Sequence, residues 1–340
     1  MARTVARMFV VAICLLFTAV SDADPLAMVA PCVTVSAQER QALARGETVG
    51  RTLPAHHGQV ALFAATRIVA GADTLAAATR GIADLKKSSF VSAIKRFSEP
   101  PQLTDLDELW PSDRDITAMA QCVVGNCSLK LTQAEIAALT PHRGDRGALV
   151  LAFRGIVLDR VKSYLSGGLA ALPPIANRPQ PKKLSDTLAV LQAASPCVMQ
   201  RAPLAGWIRD YPAAGGDVES FVYWSQESYG SGKPVVVVTH VAIHREGPGS
   251  VIVVGKQIMA TRYLDGGLAM TAITTDSDGT RYLTYLNRSS VDLLGGLLGS
   301  VKRAVLESRL SGEVPEIITK LRTRLEKSAY DSRPRSLRHD

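Results

Sequence analysis

The chain has 340 residues, 46% of them hydrophobic, and a formal net charge of +8, so it can bury a sizeable core and is neither a disulfide-stapled miniprotein nor a disordered polymer. Only 5% of residues are aromatic, and the basic excess is spread along the chain, with short runs at Lys182-Lys183 and from Arg333 to Arg338. A nucleic-acid binder concentrates its charge on one face, so that class is set aside, while attraction to an anionic membrane surface stays open.

At the N-terminus Arg3 and Arg7 precede an apolar stretch from Met8 to Val20, and Ser21-Asp22-Ala23 supplies small residues where a signal peptidase cuts. The stretch is too short to cross a bilayer, which takes about 20 residues. The expectation is a signal peptide over 1–23, cleavage near Ala23, and a periplasmic or secreted product. Cys14 follows Ile13 and Cys32 follows Pro31, so neither has the small preceding residue of a lipid-attachment site. Cleavage leaves Cys32, Cys122, Cys127 and Cys197 in a compartment that permits disulfides. The Val-Gly-Asn turn between Cys122 and Cys127 favours a local bridge, and the pairing of Cys32 and Cys197 stays open.

The run from Gln59 to Val69 predicts a strand, and Asp73 then offers a cap to a helix with Leu75, Ala78, Ile82 and Leu85 at helical spacing. Thr132 and Glu135 form a capping box. Val150, Phe153, Val157, Val161 and Tyr164 form a helical stripe that Gly167-Gly168 ends. A helix from Ser185 is stopped by Pro196, a short one covers Leu204 to Tyr211, and a proline-rich connector runs from Pro173 to Lys183.

Past Gly215-Gly216 the pattern changes to period two. Phe221 to Ser225, Val235 to Arg245, Val251 to Tyr263, Ala269 to Thr275 and Arg281 to Asn287 are rich in Val, Ile, Thr and Tyr, with Gly- and Asp-rich turns between them. Consecutive hairpins predict an antiparallel sheet. Leu293 to Leu310 and Pro315 to Leu325 predict helix, kinked or divided at Gly312 and Pro315.

The strand run Val235 to Arg245, the segment Lys256 to Tyr263 and the ending Leu293 to Arg303 resemble the START-like, polyketide-cyclase-like superfamily, and a group of uncharacterised exported bacterial proteins within it. The resemblance covers roughly Gly58 to Asp84 and Phe221 to Leu325. It implies an α+β helix-grip fold: a curved antiparallel sheet packed on a long C-terminal helix, enclosing an apolar cavity for a lipid or another hydrophobic molecule. It also implies a START-like domain over 24–330, with a helical insertion at about 122–211 that a minimal domain lacks and a disordered basic tail over 331–340. No superfamily-wide catalytic motif exists to transfer, and no cofactor is expected.

His240 and His244 lie on a predicted strand, where four residues span about 13 Å, too far for one ion, so no metal is expected. Both share a face with Val236, Val238 and Ala242 that lines either the cavity or the solvent side. Lys256, Arg262, Tyr263 and Asp265 cluster at the end of the longest strand, where polar groups can orient a ligand headgroup; alternation puts Lys256 and Arg262 on one face and Tyr263 on the other. With Trp224, residues His240, His244, Lys256, Arg262 and Tyr263 form the candidate ligand-contacting set. Gly230-Ser-Gly-Lys233 lacks the first glycine and the Ser or Thr of a phosphate loop, and no nucleophile elbow or dinucleotide fingerprint occurs. The expected function is binding of a hydrophobic ligand, lipid or isoprenoid, with a cyclase or hydrolase using the same cavity and an envelope scaffold as alternatives.

Overall fold

The computed structural model describes residues 26–56, 58–214, 216, 218–228, 233–294 and 299–331, without the side chains of 293, 299–309 and 311. The signal segment, the turn over 229–232 and the tail from 332 lie outside the described residues.

Eight strands form one sheet: β1 Val49–Leu53, β2 Gln59–Arg67, β3 Val91–Arg96, β4 Glu219–Glu227, β5 Val235–Arg245, β6 Val251–Ala260, β7 Leu264–Thr275 and β8 Arg281–Val291. Their order is β1-β2-β8-β7-β6-β5-β4-β3, and every neighbouring pair is antiparallel. The helices are α1 Ala37–Ala44, α2 Ala72–Arg80, α3 Ile82–Lys86, α4 Asp113–Gln121, α5 Gln133–Leu139, α6 Arg146–Gly167, α7 Leu184–Ala193, α8 Pro196–Met199, α9 Ala202–Asp210 and α10 Gly299–Asp331. The chain is therefore α+β, an antiparallel sheet with a long C-terminal helix.

The local signals act as expected. Thr132 and Glu135 make their reciprocal capping box at the start of α5, and α6 ends where Gly168 takes φ 62°, a conformation open to glycine at little cost. Two helix boundaries differ from expectation. Pro196 does not end a helix but opens α8, since a missing N–H is harmless in a first turn. Asp292–Leu294 is a single 3-10 turn, and one helix then runs unbroken through Pro315. Gly50 on β1 makes room for that stretch: a Cβ there would lie 3.0 Å from Val314 and 3.1 Å from Pro315.

Alternation along each strand gives the sheet two faces, and both are covered. Phe221, Tyr223, Val241, Val251, Ile273 and Leu283 pack with Leu75 and Ala76 of α2 and with Val314, Ile318 and Leu325 of α10. On the other face Phe63, Ala242, Ile252 and Met270 lie beneath α1 and α7–α9, while Val222, Trp224 and Val238 lie beneath α4–α6. The helices that interrupt the hairpin series, between β3 and β4, thus seal the face opposite α10. They begin with α4 at Asp113, ahead of Cys122. Two disulfides, Cys122–Cys127 and Cys32–Cys197, tie the helical layer together and fix the segment after Leu26 to α8.

Candidate ligand cleft

The two faces differ in how completely they are filled. On the face under α4–α9 the mid-strand side chains Val238, His240, Val254, Lys256, Met270 and Leu286 are all buried. On the face turned to α10, the central strands keep partly accessible residues, among them Thr239, Gly255, Ala269, Thr271, Tyr285 and Asn287. Register makes these positions contiguous: Gly255 lies opposite Ala269 and Ala269 opposite Asn287, and in the next row Val253 lies opposite Thr271 and Thr271 opposite Tyr285. The small residues Gly255 and Ala269 stand at the middle of β6 and β7 on this face. Polar side chains in the C-terminal part of α10 reach the β1–β2 side of the sheet and α3. Thr319 Oγ1 is 3.1 Å from Thr48 Oγ1, Arg322 donates to Thr66 Oγ1 at 3.0 Å, and Arg324 donates to the Leu85 carbonyl of α3 at 2.7 Å.

A polar cluster stands on the same face, where the end of β4 meets α3. Lys86, the last residue of α3, donates to Glu227 Oε1 at 2.6 Å and to the Tyr223 hydroxyl at 3.2 Å; the buried Ser225 donates to the same Glu227 oxygen at 2.6 Å. Burial disfavours the Lys86 ammonium, but Tyr223 and Glu227 beside it outweigh that effect and its pKa is raised. On β8, burial raises the pKa of Tyr285. Glu227 is on β4, with β7, β6 and β5 between the two strands.

The residues expected to contact a ligand lie elsewhere. Trp224 is wholly buried on the face away from α10, its indole N–H donating to the Asp105 carbonyl at 2.9 Å. His240 and Lys256 share that face and are also fully packed. His240 Nδ1 meets the Tyr164 hydroxyl at 2.8 Å. Lys256 donates to the Trp207 and Ile208 carbonyls at 3.1 and 3.0 Å, satisfying two of the free acceptors in the last turn of α9. The rings of Tyr164, Trp207 and Tyr211 surround its ammonium at 5.3, 4.6 and 5.8 Å. Burial lowers the Lys256 pKa to about 7 against the opposing charge of Asp210, and burial together with Lys256 holds His240 well below its ordinary range. His244, opposite Ile252, is half-buried near the end of β5.

Arg262 lies past the end of β6 and is buried against Asp115, at 3.2 Å from Nε and 2.5 Å from Nη2, and against the Ser128 carbonyl at 2.9 Å. Tyr263 is the one non-glycine residue with positive φ among the described residues, at 62°; its hydroxyl accepts from the Lys233 N–H at 2.8 Å. Asp265, at the start of β7, is ion-paired with the buried Lys130 and with Lys182 at 3.0 Å. These residues fix the β6–β7 turn to the helical layer and do not converge on the cleft. The sequence left the face of this set open for a physical reason: where both faces are covered, Val235 to Val238 is apolar in either register, and alternation does not say which face meets α10. Sequence reasoning passed over Tyr223, Ser225 and Glu227, although three polar residues two apart on one strand do share a face.

Among the described residues no cluster of three or more His, Cys, Asp or Glu is placed to hold a metal ion, and no helix is long and apolar enough to cross a membrane. The two disulfides are consistent with an exported protein. Fold and site together define an α+β protein with an antiparallel sheet covered by helices on both faces and a polar cluster of Lys86, Tyr223, Ser225 and Glu227 on its α10 face. Comparison with protein-family models, with curated proteins and with solved structures finds no match to this chain.

Proposed function

We propose that the chain is an exported START-like protein of helix-grip architecture, and that it holds a lipid or isoprenoid in the cleft between the sheet and α10. The path β2, α2, α3, β3, then the meander β4 to β8 and α10, with β2 closing onto β8, is the arrangement such a fold requires. The observation that carries the reading is the accessible row Gly255, Ala269 and Asn287 in the middle of a sheet whose other face is sealed. Each methylene buried there contributes about 0.8 kcal/mol, so a long chain binds tightly with few polar contacts. The Lys86–Glu227 pair and its neighbouring hydroxyls then orient the polar end.

Two other readings are less well supported. A cyclase or hydrolase built on Tyr263, His240 and Arg262 needs those groups to converge, and they do not. A scaffold docking through the α6 stripe needs it exposed, whereas Val150, Phe153, Val157, Val161 and Tyr164 are buried. The direct test fills this cleft. Ala269→Phe should abolish uptake of an environment-sensitive fluorescent lipid while leaving the circular dichroism spectrum unchanged; undiminished uptake by the folded variant would refute the assignment of the cleft.

A further inference from the structure

The rim beside the polar cluster carries a second feature. Phe90, Trp110, Val123 and Val124 are 55%, 64%, 47% and 53% exposed, and large apolar side chains held in solvent on one stretch of chain mark a docking surface. Hydrogen bonds place the two aromatic residues beside the end of β4. The Phe90 carbonyl accepts from Ser228 N–H at 2.8 Å, and the Trp110 carbonyl accepts from Gln226 Nε2 at 3.1 Å. Ser228 directly follows Glu227, the acidic partner of Lys86.

Next to them runs a groove of about 660 Å³ between α4 and the Cys122–Cys127 loop, lined by Arg114, Gln121, Asn126 and Lys233 among others. The groove's one carboxylate, Asp113, is occupied by Arg146 at 2.5 Å. Arg114 and Lys233 are exposed and have no ion-pair partner among the described residues. Solvent-held apolar anchors beside uncompensated cations form the combination that binds the interface of an anionic bilayer.

We propose that this rim, from Phe90 and Trp110 across Arg114 and Lys233 to Val123 and Val124, docks the protein on a membrane bearing anionic lipids. The choice of partner extends the lipid reading, but the docking itself does not require an occupied cleft.

The protein carries its own probe. Trp207 and Trp224 are fully buried, so Trp110 is the only exposed tryptophan of the three. Titration with phosphatidylcholine vesicles containing phosphatidylglycerol should shift the emission to the blue, and brominated acyl chains should quench it. Vesicles of phosphatidylcholine alone should do neither, and salt near 1 M, where the screening length is about 3 Å, should release the protein. The pair Arg114→Gln and Lys233→Gln should weaken binding about thirtyfold, from about 1 kcal/mol per cation at the surface. An unshifted spectrum with anionic vesicles, or equal binding to neutral ones, would overturn the proposal using the unaltered chain alone. Vesicle binding with no lipid in the cleft would support docking and count against the function proposed above.

Discussion

The two disulfides differ in what they close. Cys32–Cys197 spans a sequence separation of 165, and Cys122–Cys127 spans 5. Closing a loop removes chain entropy from the unfolded state in proportion to the logarithm of its length, so the long bridge should contribute about 5 kcal/mol and the short one about 2 kcal/mol. The long bridge also anchors buried Leu26, Met28, Val29 and Val33 against the core that contains Trp207 and Ile208. Replacing Cys32 and Cys197 together by alanine should therefore lower stability by about 3 kcal/mol more than replacing Cys122 and Cys127 together. Urea unfolding followed by far-ultraviolet circular dichroism reads the difference. Equal losses, or a larger loss from the short bridge, would show that native contacts and not loop closure set the contribution of these bonds.

The Arg262 guanidinium is sealed against Asp115, so Asp115→Ala should cost about 3–5 kcal/mol by leaving a buried charge unpaired, and denaturant titration that finds under about 1 kcal/mol would remove the anchoring role given to this pair. Lys256 behaves differently because its folded pKa, about 7, lies below its ordinary 10.5. Between those values the unfolded chain holds a proton that the folded chain has released, so stability should rise with pH above about 7. Lys256→Met should abolish that rise, measured as the melting temperature at steps from about pH 7 to pH 9, below the range where tyrosines ionise. A wild-type curve flat over the same range would refute the depressed pKa.

Features set by neighbours in sequence were legible before the fold was known. The hairpin strands β4 to β8, the Thr132–Glu135 box, the glycine stop after α6 and the Cys122–Cys127 bridge all depend on residues a few positions apart. β1 and β3 were not foreseen, since short edge strands carry no repeating apolar alternation: Val49–Leu53 has glycine and arginine at its centre, and Val91–Arg96 ends in two cations. The candidate site was the least legible part. Its defining contact joins Lys86 and Glu227 across 141 residues, a pairing that no local pattern announces. The strand patterns gave the alternation up to the register shift opposite Val238 and Thr239 but not the identity of each face, which depends on where the helices between β3 and β4 pack.

The claim that the cleft holds a hydrophobic molecule is tested most directly by native mass spectrometry of the protein purified from the cells that make it, before and after extraction with organic solvent. The account predicts a discrete excess over the polypeptide mass that extraction removes, with the lipid recovered in the solvent, and no such excess in Ala269→Phe. A wild-type mass equal to that of the polypeptide alone, together with failure to take up added lipid, would contradict it.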